Sequence, residues 1–265
     1  MNGFVALYVA LASYGNLYIR QGIHAAKLDF DNSTLIYCGK LEFVVDATSK
    51  TPIAKTPEEW FEFLKKNGCQ ALKIFYWHSD QKQGKDHELV AFVGGGGNWI
   101  IEAIYGDYAN YWVCKETVIN RNANDKRGRG IEFDLIKKNA PVLDAMSTVS
   151  ETKDNLRVSL LHILAFAEEH RPGYWANVFK SALSNLNSQT PESAYYKDAF
   201  VEKHNSLDCL QLLTSANIAS VFGGMGSWND IFYATDELQK QNDILSADLF
   251  DKINQAIVVA VNSGN

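Results

Sequence analysis

The sequence predicts an α+β protein: a mostly antiparallel β-sheet with one helix over residues 1–140, then an α-helical part over residues 146–265. Two observations support this prediction. The first half consists mainly of short runs rich in β-branched and aromatic residues, separated by turn-forming residues. In the second half, apolar residues recur at helical spacing over longer segments, and the change occurs near Pro141. With 265 residues and 46% apolar content, the chain can bury a substantial core.

Four strands are predicted before the first helix, at residues 4–11, 17–20, 34–38 and 41–45. Turns are predicted at residues 14–16, 31–33 and 39–40, where small and turn-forming residues interrupt the apolar runs. A signal peptide is the alternative for the first run. This run is short, no Lys or Arg precedes it, and Tyr8 and Tyr14 interrupt it, so the pattern favours a strand.

One helix is predicted among these strands. Thr56 suits an N-cap, Pro57 suits the first turn, Glu59 follows the cap by three residues, and Gly68 supplies the stop. Further strands are predicted at residues 71–77, 88–93, 99–105, 111–118 and 130–136. Their short connections favour an antiparallel meander, because a doubly wound parallel sheet would need a helix after most strands.

Four amphipathic helices are predicted in the second half, at residues 151–170, 174–186, 205–222 and 246–261. Arg171, Pro172 and Gly173 end the first of them. The short connection near Pro141 indicates that the two parts share an interface.

The most unusual segment lies between the third and fourth predicted helices and reads FGGMGSWND over residues 222–230. Glycine accepts a positive φ angle, and three glycines in four positions predict at least one such residue. Ser227 is predicted to cap a helical turn, and Asp230 to occupy the third position after that cap. The structural turn is thus assigned to Gly223, Gly224, Gly226, Ser227, Asn229 and Asp230.

The stretch from about Leu156 to Asn262 resembles a small family of bacterial helical domains of unknown function. Their mark is a GGMGS-aromatic-ND turn between amphipathic helices, and they are often encoded near contact-dependent or polymorphic toxins. The matching turn residues are Gly223, Gly224, Met225, Gly226, Ser227, Asn229 and Asp230, with Leu160, Leu161, Trp175 and Leu183 upstream. The resemblance implies a toxin-neutralising immunity protein and names no catalytic residue. No family is recognised in residues 1–145.

The acidic excess lies entirely in the helical half. The net charge is −6, and residues 151–265 hold 8 Lys and Arg against 14 Asp and Glu. An acidic surface repels nucleic-acid phosphate and attracts a basic partner. We therefore expect a basic protein partner and no nucleic acid, although an ordinary solvated acidic face explains the charge alone equally well.

Cysteine usage and hydropathy indicate a cytoplasmic protein that does not enter a membrane. Cys38, Cys69, Cys114 and Cys209 lie far apart without paired histidines, so neither a zinc site nor any other metal site is expected. Free cysteines in apolar surroundings fit a reducing compartment. No stretch approaches the length of a membrane span.

Three motifs resemble catalytic or ligand sites but are better explained otherwise. Residues 94–97 are four glycines, yet Asn98 and Trp99 follow where a phosphate loop would carry Lys and Ser or Thr, so a hairpin connection is predicted. His162 and His170 are eight apart on one helix, too far along its axis to share one metal ion. Ser227 has no neighbouring histidine and lacks the GxSxG pattern. No catalytic residue and no cofactor is predicted.

The predicted partner-binding residues are aromatic and acidic. They comprise Tyr105, Asp107, Tyr108, Tyr111, Trp112, Trp228, Asp236 and Glu237. Tyrosine and tryptophan beside carboxylates suit the recognition of a basic protein. Core packing is expected for at least half of the aromatic side chains Tyr105, Tyr108, Tyr111 and Trp112. Trp228 either packs beneath the turn or lies at an interface.

The leading hypothesis is therefore an immunity-type protein that neutralises a cognate bacterial toxin by occluding it, without enzymatic activity. The alternative is a hydrolase that acts on a small molecule or reverses a modification, with its site between the two halves. A deep pocket lined by His78, His87 or Asp230, with a shifted pKa among them, would favour the hydrolase.

Overall fold

The computed structural model of the chain describes residues 1–22, 27–46, 51–78, 85–90, 96–119, 126–144, 147–192, 195–201 and 205–264. Within them, six strands form one sheet in the order β2-β1-β6-β5-β4-β3. The strands are β1 Cys38–Val44, β2 Pro52–Ala54, β3 Ala71–Trp77, β4 Asn98–Tyr105, β5 Tyr108–Val118 and β6 Arg129–Pro141. All neighbouring strands are antiparallel except β1 and β6, which run parallel.

The described residues also form seven α-helices. They are α1 Gly3–Gln21, α2 Pro57–Lys66, α3 Asp86–Leu89, α4 Val149–His170, α5 Tyr174–Asn185, α6 Leu207–Ala219 and α7 Asp236–Ser263. The sheet lies in the N-terminal part and most helices in the C-terminal part, so the predicted α+β class is confirmed. No helix among the described residues is long and apolar enough to cross a membrane.

The first element is the main error of the sequence prediction. Residues 4–11 and 17–20 are not strands, and residues 14–16 are not a turn, because all belong to the 19-residue helix α1. This helix is buried on nearly every side, so it lacks the polar face that would reveal a helical period. Gly15 lies inside it because a Cβ there would come within 2.4 Å of Leu72 on β3.

Three smaller predictions are also wrong. Residues 34–37 form turns, so the third predicted strand reduces to its last residue, Cys38. Residues 39–40 lie in β1, at a shift in its register against β6, rather than in a turn. Residues 88–89 end the short helix α3 instead of beginning a strand, and residues 91–93 of that prediction lie outside the described residues, as do Gly94 and Gly95 of the predicted hairpin.

The other elements follow their predictions closely. Helix α2 begins after Thr56, whose hydroxyl accepts the Glu59 N–H, and Gly68 follows its end with a φ of 84°. Strands β3, β4, β5 and β6 form the predicted meander. Helix α7 begins ten residues before its predicted start, at an N-cap formed by Thr235.

Two asparagine side chains join the helices to the outer strand β3. Asn16 of α1 accepts from the Leu72 N–H and donates to the Leu72 carbonyl, both at 2.7 Å. Asn262 of α7 bonds the Ile74 N–H at 2.9 Å and the Ile74 carbonyl at 2.8 Å. The Asn16 bonds hold α1 against the sheet, and the Asn262 bonds, together with one hydrophobic cluster that includes residues of both parts, hold the helical part against it.

Candidate functional site

The turn between α6 and α7 is a compact, hydrogen-bonded loop. Gly226 has a φ of 82°, which confirms the predicted positive φ angle. The Ser227 hydroxyl donates to the Gly223 carbonyl at 3.1 Å and accepts the Asn229 N–H at 3.3 Å, so Ser227 caps a single 3₁₀ turn, Trp228–Asp230. The Asp230 carboxylate accepts the N–H of Gly226, one residue earlier than the Ser227 N–H that a capping box would use.

Trp228 anchors this turn in the core. Its side chain is completely buried, and its ring lies 5.5 Å from Trp175 and 5.3 Å from Phe179, both of α5. The indole N–H donates to the Ser246 hydroxyl of α7 at 2.9 Å. Of the two expectations for Trp228, packing beneath the turn therefore describes it, and its side chain is not available at the surface.

The turn also contacts the N-terminal part. The Asn229 side-chain amide donates to the backbone carbonyl of His87, in α3, at 2.6 Å. Because this bond joins residues 142 positions apart, the turn fixes α3 against the helical part.

A cleft of about 550 Å³ opens between the turn, α3 and α7. We call it the turn cleft. Its lining includes His87, Glu88, Met225, Asp230, Phe232, Asn242 and Asp243. His87 and Asn242 are only 4% and 5% exposed. Its volume lies within the range of small-ligand sites, and its residues come from both parts of the chain.

The charges around the turn cleft are mostly negative. Lys85 lies 3.5 Å from Asp243 and 3.9 Å from Glu88, so one ammonium group faces two of the three carboxylates that line the cleft. Burial lowers the pKa of His87, and the carboxylate of Glu88 partly opposes this shift. His87 is therefore neutral at pH 7, and the turn cleft carries a net negative charge.

The tip of the turn exposes large apolar side chains. Met225 is fully exposed, and Phe232, just after the 3₁₀ turn, is 79% exposed. A second cleft of about 620 Å³ adjoins the turn on the side of α5, where Tyr174 and Tyr195 are also exposed. Asp236 and Glu237 are exposed in the first turn of α7. Apolar side chains at the turn and acidic side chains at the start of α7 are thus both exposed.

The predicted aromatic cluster lies elsewhere, at the hairpin between β4 and β5. Tyr105 and Tyr108 stack at 5.4 Å on either side of Gly106 and Asp107, and Asp107 and Tyr108 are exposed. The Tyr111 hydroxyl donates to the Pro141 carbonyl at 2.6 Å. Trp112 is completely buried against Trp60 and Phe43, so its side chain does not reach the surface. No hydrogen bond, ion pair or ring contact found in the described part of the chain joins this hairpin to the turn.

A polar cluster at the other end of α3 includes His78, which the hydrolase alternative names, and three residues that the sequence did not single out. Asp86 accepts the Tyr76 hydroxyl at 3.1 Å and lies 3.1 Å from His78, whose other ring nitrogen lies 3.3 Å from Asp251 of α7. Burial, followed by the nearby Asp86, raises the pKa of Tyr76 well above its usual range. This arrangement links β3, α3 and α7.

Three observations on the described residues concern the catalytic and metal sites that the sequence analysis considered. Ser227 bonds only to backbone groups of its own turn. Among residues 1–264 outside the gaps given above, no group of three or more His, Cys, Asp or Glu is placed to hold a metal ion. His87 and Asp230 do line one cleft, as the alternative hypothesis requires.

Comparison with protein-family models, with curated proteins and with solved structures finds no match to this chain. What the turn cleft does must therefore follow from its own residues. Sequence reasoning identified Asp230 and named His87 as a possible pocket residue, but it missed Phe232, Asn242 and Asp243. For Asn242 and Asp243 the available signal was the polar first half of α7, which the prediction left outside the helix.

Proposed function

We propose that this chain is an immunity-type binding protein that neutralises a cognate bacterial toxin by direct occlusion. The observation that carries the proposal is the exposed pair Met225 and Phe232 on a turn whose backbone is held by internal hydrogen bonds and by the buried Trp228. The proposal includes a cytoplasmic location, where a delivered toxin of the polymorphic class would be met.

A turn with a fixed backbone suits binding, because the backbone loses little conformational freedom when a partner binds to the side chains that it presents. Large apolar side chains that enter a partner's pockets contribute most of the affinity in many interfaces. The carboxylates near the turn, including Asp236 and Glu237, would speed the approach of a basic partner and favour it over acidic ones.

The test is co-expression with each toxin domain encoded beside this chain, followed by co-purification and a growth-protection assay. We expect a stoichiometric complex and protection. Replacing Met225 and Phe232 together with serine should weaken the complex strongly while leaving the melting temperature unchanged, because neither side chain is buried. Val118→Ser, at an exposed position on β5, is the matched control and should bind normally.

Two results would argue against this function. Failure to bind or protect against any neighbouring toxin would remove its basis. An intact complex in the double serine variant, lost instead on replacing Tyr108 at the hairpin, would transfer the interface to the β4–β5 hairpin.

A second candidate, hydrolysis, is favoured by one observation. The buried His87 lines a cleft between the two parts, and burial lowers its pKa. A general base must be unprotonated at the working pH, and a lowered pKa keeps His87 in that form at pH 7. A panel of chromogenic esters, phosphoesters and amides tests it. Turnover that is abolished in His87→Asn, but retained in His162→Asn, would support hydrolysis, whereas no turnover of any substrate would argue against it.

A further inference from the structure

We propose that the turn cleft receives a guanidinium group, namely an arginine side chain of the basic partner. This inference rests on the proposed binding function and names the chemistry by which the partner is recognised.

The net negative charge of the turn cleft favours the binding of a cation. Glu88, Asp230 and Asp243 line it, and Lys85 is the cation paired with two of them. Asp230 uses one oxygen for the Gly226 N–H, and Asp243 accepts the Gln239 amide at 2.9 Å. With neutral His87, three carboxylates against one ammonium leave about two negative charges for a ligand to balance.

Two nearly buried polar side chains line the same cleft, and the side-chain oxygen of one of them has no hydrogen-bond partner among the described residues. The Asn242 side-chain oxygen is buried and accepts nothing. In the described part of the chain no hydrogen bond of the His87 ring is found, and its Nε2 atom lies 3.9 Å from the carboxylate of Glu88. A buried acceptor without a donor is costly to keep, and a ligand that supplies donors would satisfy it.

The arrangement favours guanidinium over other cations. Guanidinium is planar and presents five N–H donors, which suits several acceptors spread around a cleft. Phe232 supplies an aromatic face on which a planar cation can stack, and Met225 extends that apolar wall. Lysine offers a point charge with three donors, and a metal ion would need carboxylates that converge.

Binding should also hold the two parts of the chain together. His87 and Glu88 come from α3, whereas Asp230, Asn242 and Asp243 come from the turn and from α7. A guanidinium group between them would add contacts to both sides of the bond from Asn229 to the His87 carbonyl.

The experiment titrates N-acetyl-L-arginine amide against the isotope-labelled full chain and follows the Asn242 side-chain amide and the His87 ring by NMR. N-acetyl-L-lysine amide and the neutral N-acetyl-L-citrulline amide serve as matched probes. We expect saturable shifts with arginine, weaker binding with lysine, and none with citrulline. Asp243→Asn should weaken arginine binding by about tenfold, as expected for the loss of one charge-assisted hydrogen bond.

Control variants separate the site from general electrostatics. Asp248→Asn makes the same charge change at an exposed position five residues further along α7 and should bind arginine normally. Asn242→Leu removes the unpartnered acceptor without changing the charge and should also weaken binding. Thermal unfolding of each variant verifies folding, and if one variant fails to fold the other decides.

Several outcomes would overturn the inference. The first is binding of the citrulline probe as tight as that of the arginine probe. The second is a loss of arginine affinity in Asp248→Asn as large as in Asp243→Asn. The third is the absence of any NMR shift at Asn242 and His87 on addition of the arginine probe. Capture of a toxin by a chain that ignores the arginine probe would overturn the guanidinium site and leave the proposed function standing. Specific arginine binding with no protein partner would support the site and count against the proposed function.

Discussion

At Gly226 the backbone adopts a φ of 82°, a region where a Cβ atom is strained, while Gly224 two residues earlier does not. We expect Gly226→Ala to lower the free energy of unfolding by about 1 kcal/mol. Gly224→Ala is the control, because a Cβ there meets no atom within 4 Å and the change should be small. Urea denaturation measures both. Equal effects of the two substitutions would contradict the assignment of strain to Gly226.

His87 should make the stability depend on pH. Burial between Phe222 and Phe250 lowers its pKa in the folded chain, so the unfolded chain binds the proton more readily. The stability that neutral His87 contributes is present above its ordinary pKa of 6.5 and is lost as the pH falls below that value. The neighbouring charges of Glu88, Lys85 and Asp243 modulate this loss.

The measurement is the free energy of unfolding of the wild type and of His87→Leu, between about pH 7 and pH 5. We expect the wild type to lose stability more steeply over this interval. His162→Leu, at an exposed position on α4, should keep the wild-type slope. A slope that is unchanged in His87→Leu would show that His87 is not the responsible group.

Among the elements, α1 ties two strands together through Tyr8. Its hydroxyl accepts the Cys114 N–H at 2.8 Å and donates to the Trp99 carbonyl at 3.0 Å, at the point where β4 and β5 stop pairing. Tyr8→Phe leaves both backbone groups buried and unpaired, and we expect it to cost about 1–3 kcal/mol.

Tyr14→Phe in the same helix is the control for this prediction. The Tyr14 hydroxyl donates to the exposed carbonyl of Asp198, where water can replace it, so the loss should be about 1 kcal/mol or less. Chemical denaturation compares the two variants. If Tyr14→Phe lowered the free energy of unfolding as much as Tyr8→Phe does, the position of Tyr8 between β4 and β5 would add nothing to stability.

Elements whose ends are marked by capping and stop residues in the sequence could be predicted. Elements whose pattern depends on tertiary packing could not. Helix α2 has its cap, proline and stop glycine within 13 residues, so the chain itself marks both ends. Helix α1 has no polar face because the sheet, α2 and α7 cover it, and its β-rich composition then resembles a buried strand. The parallel pairing of β1 with β6 joins residues about 90 positions apart, which no local pattern encodes.

The whole molecule should unfold in one step. Helix α7 bonds β3 through Asn262, the turn bonds α3 through Asn229, and one hydrophobic cluster includes residues of both parts. Hydrogen exchange of peptides from β4 and from α4 in increasing denaturant should therefore give the same midpoint. Two distinct midpoints, or limited proteolysis that yields two folded fragments, would contradict this prediction.

How much of the candidate site the sequence could reveal depends on how far apart its residues lie in the chain. The turn could be predicted, since its glycines, Ser227 and Asp230 act within nine consecutive residues. The turn cleft could not, because α3 reaches the turn only through tertiary packing across 142 positions. Trp112 and Trp228 fit an interface by residue type, and only the packing places both inside.

The asparagines of α1 and α7 that bond β3 have a consequence for self-association. An outer strand normally presents free N–H and carbonyl groups to which a strand of another molecule can add. Here Asn16 and Asn262 already occupy those groups at Leu72 and Ile74. The opposite edge is the three-residue β2, which begins with a proline and offers little length for pairing. The sheet is therefore closed to growth at one end and short at the other, which disfavours edge-to-edge aggregation of the folded chain.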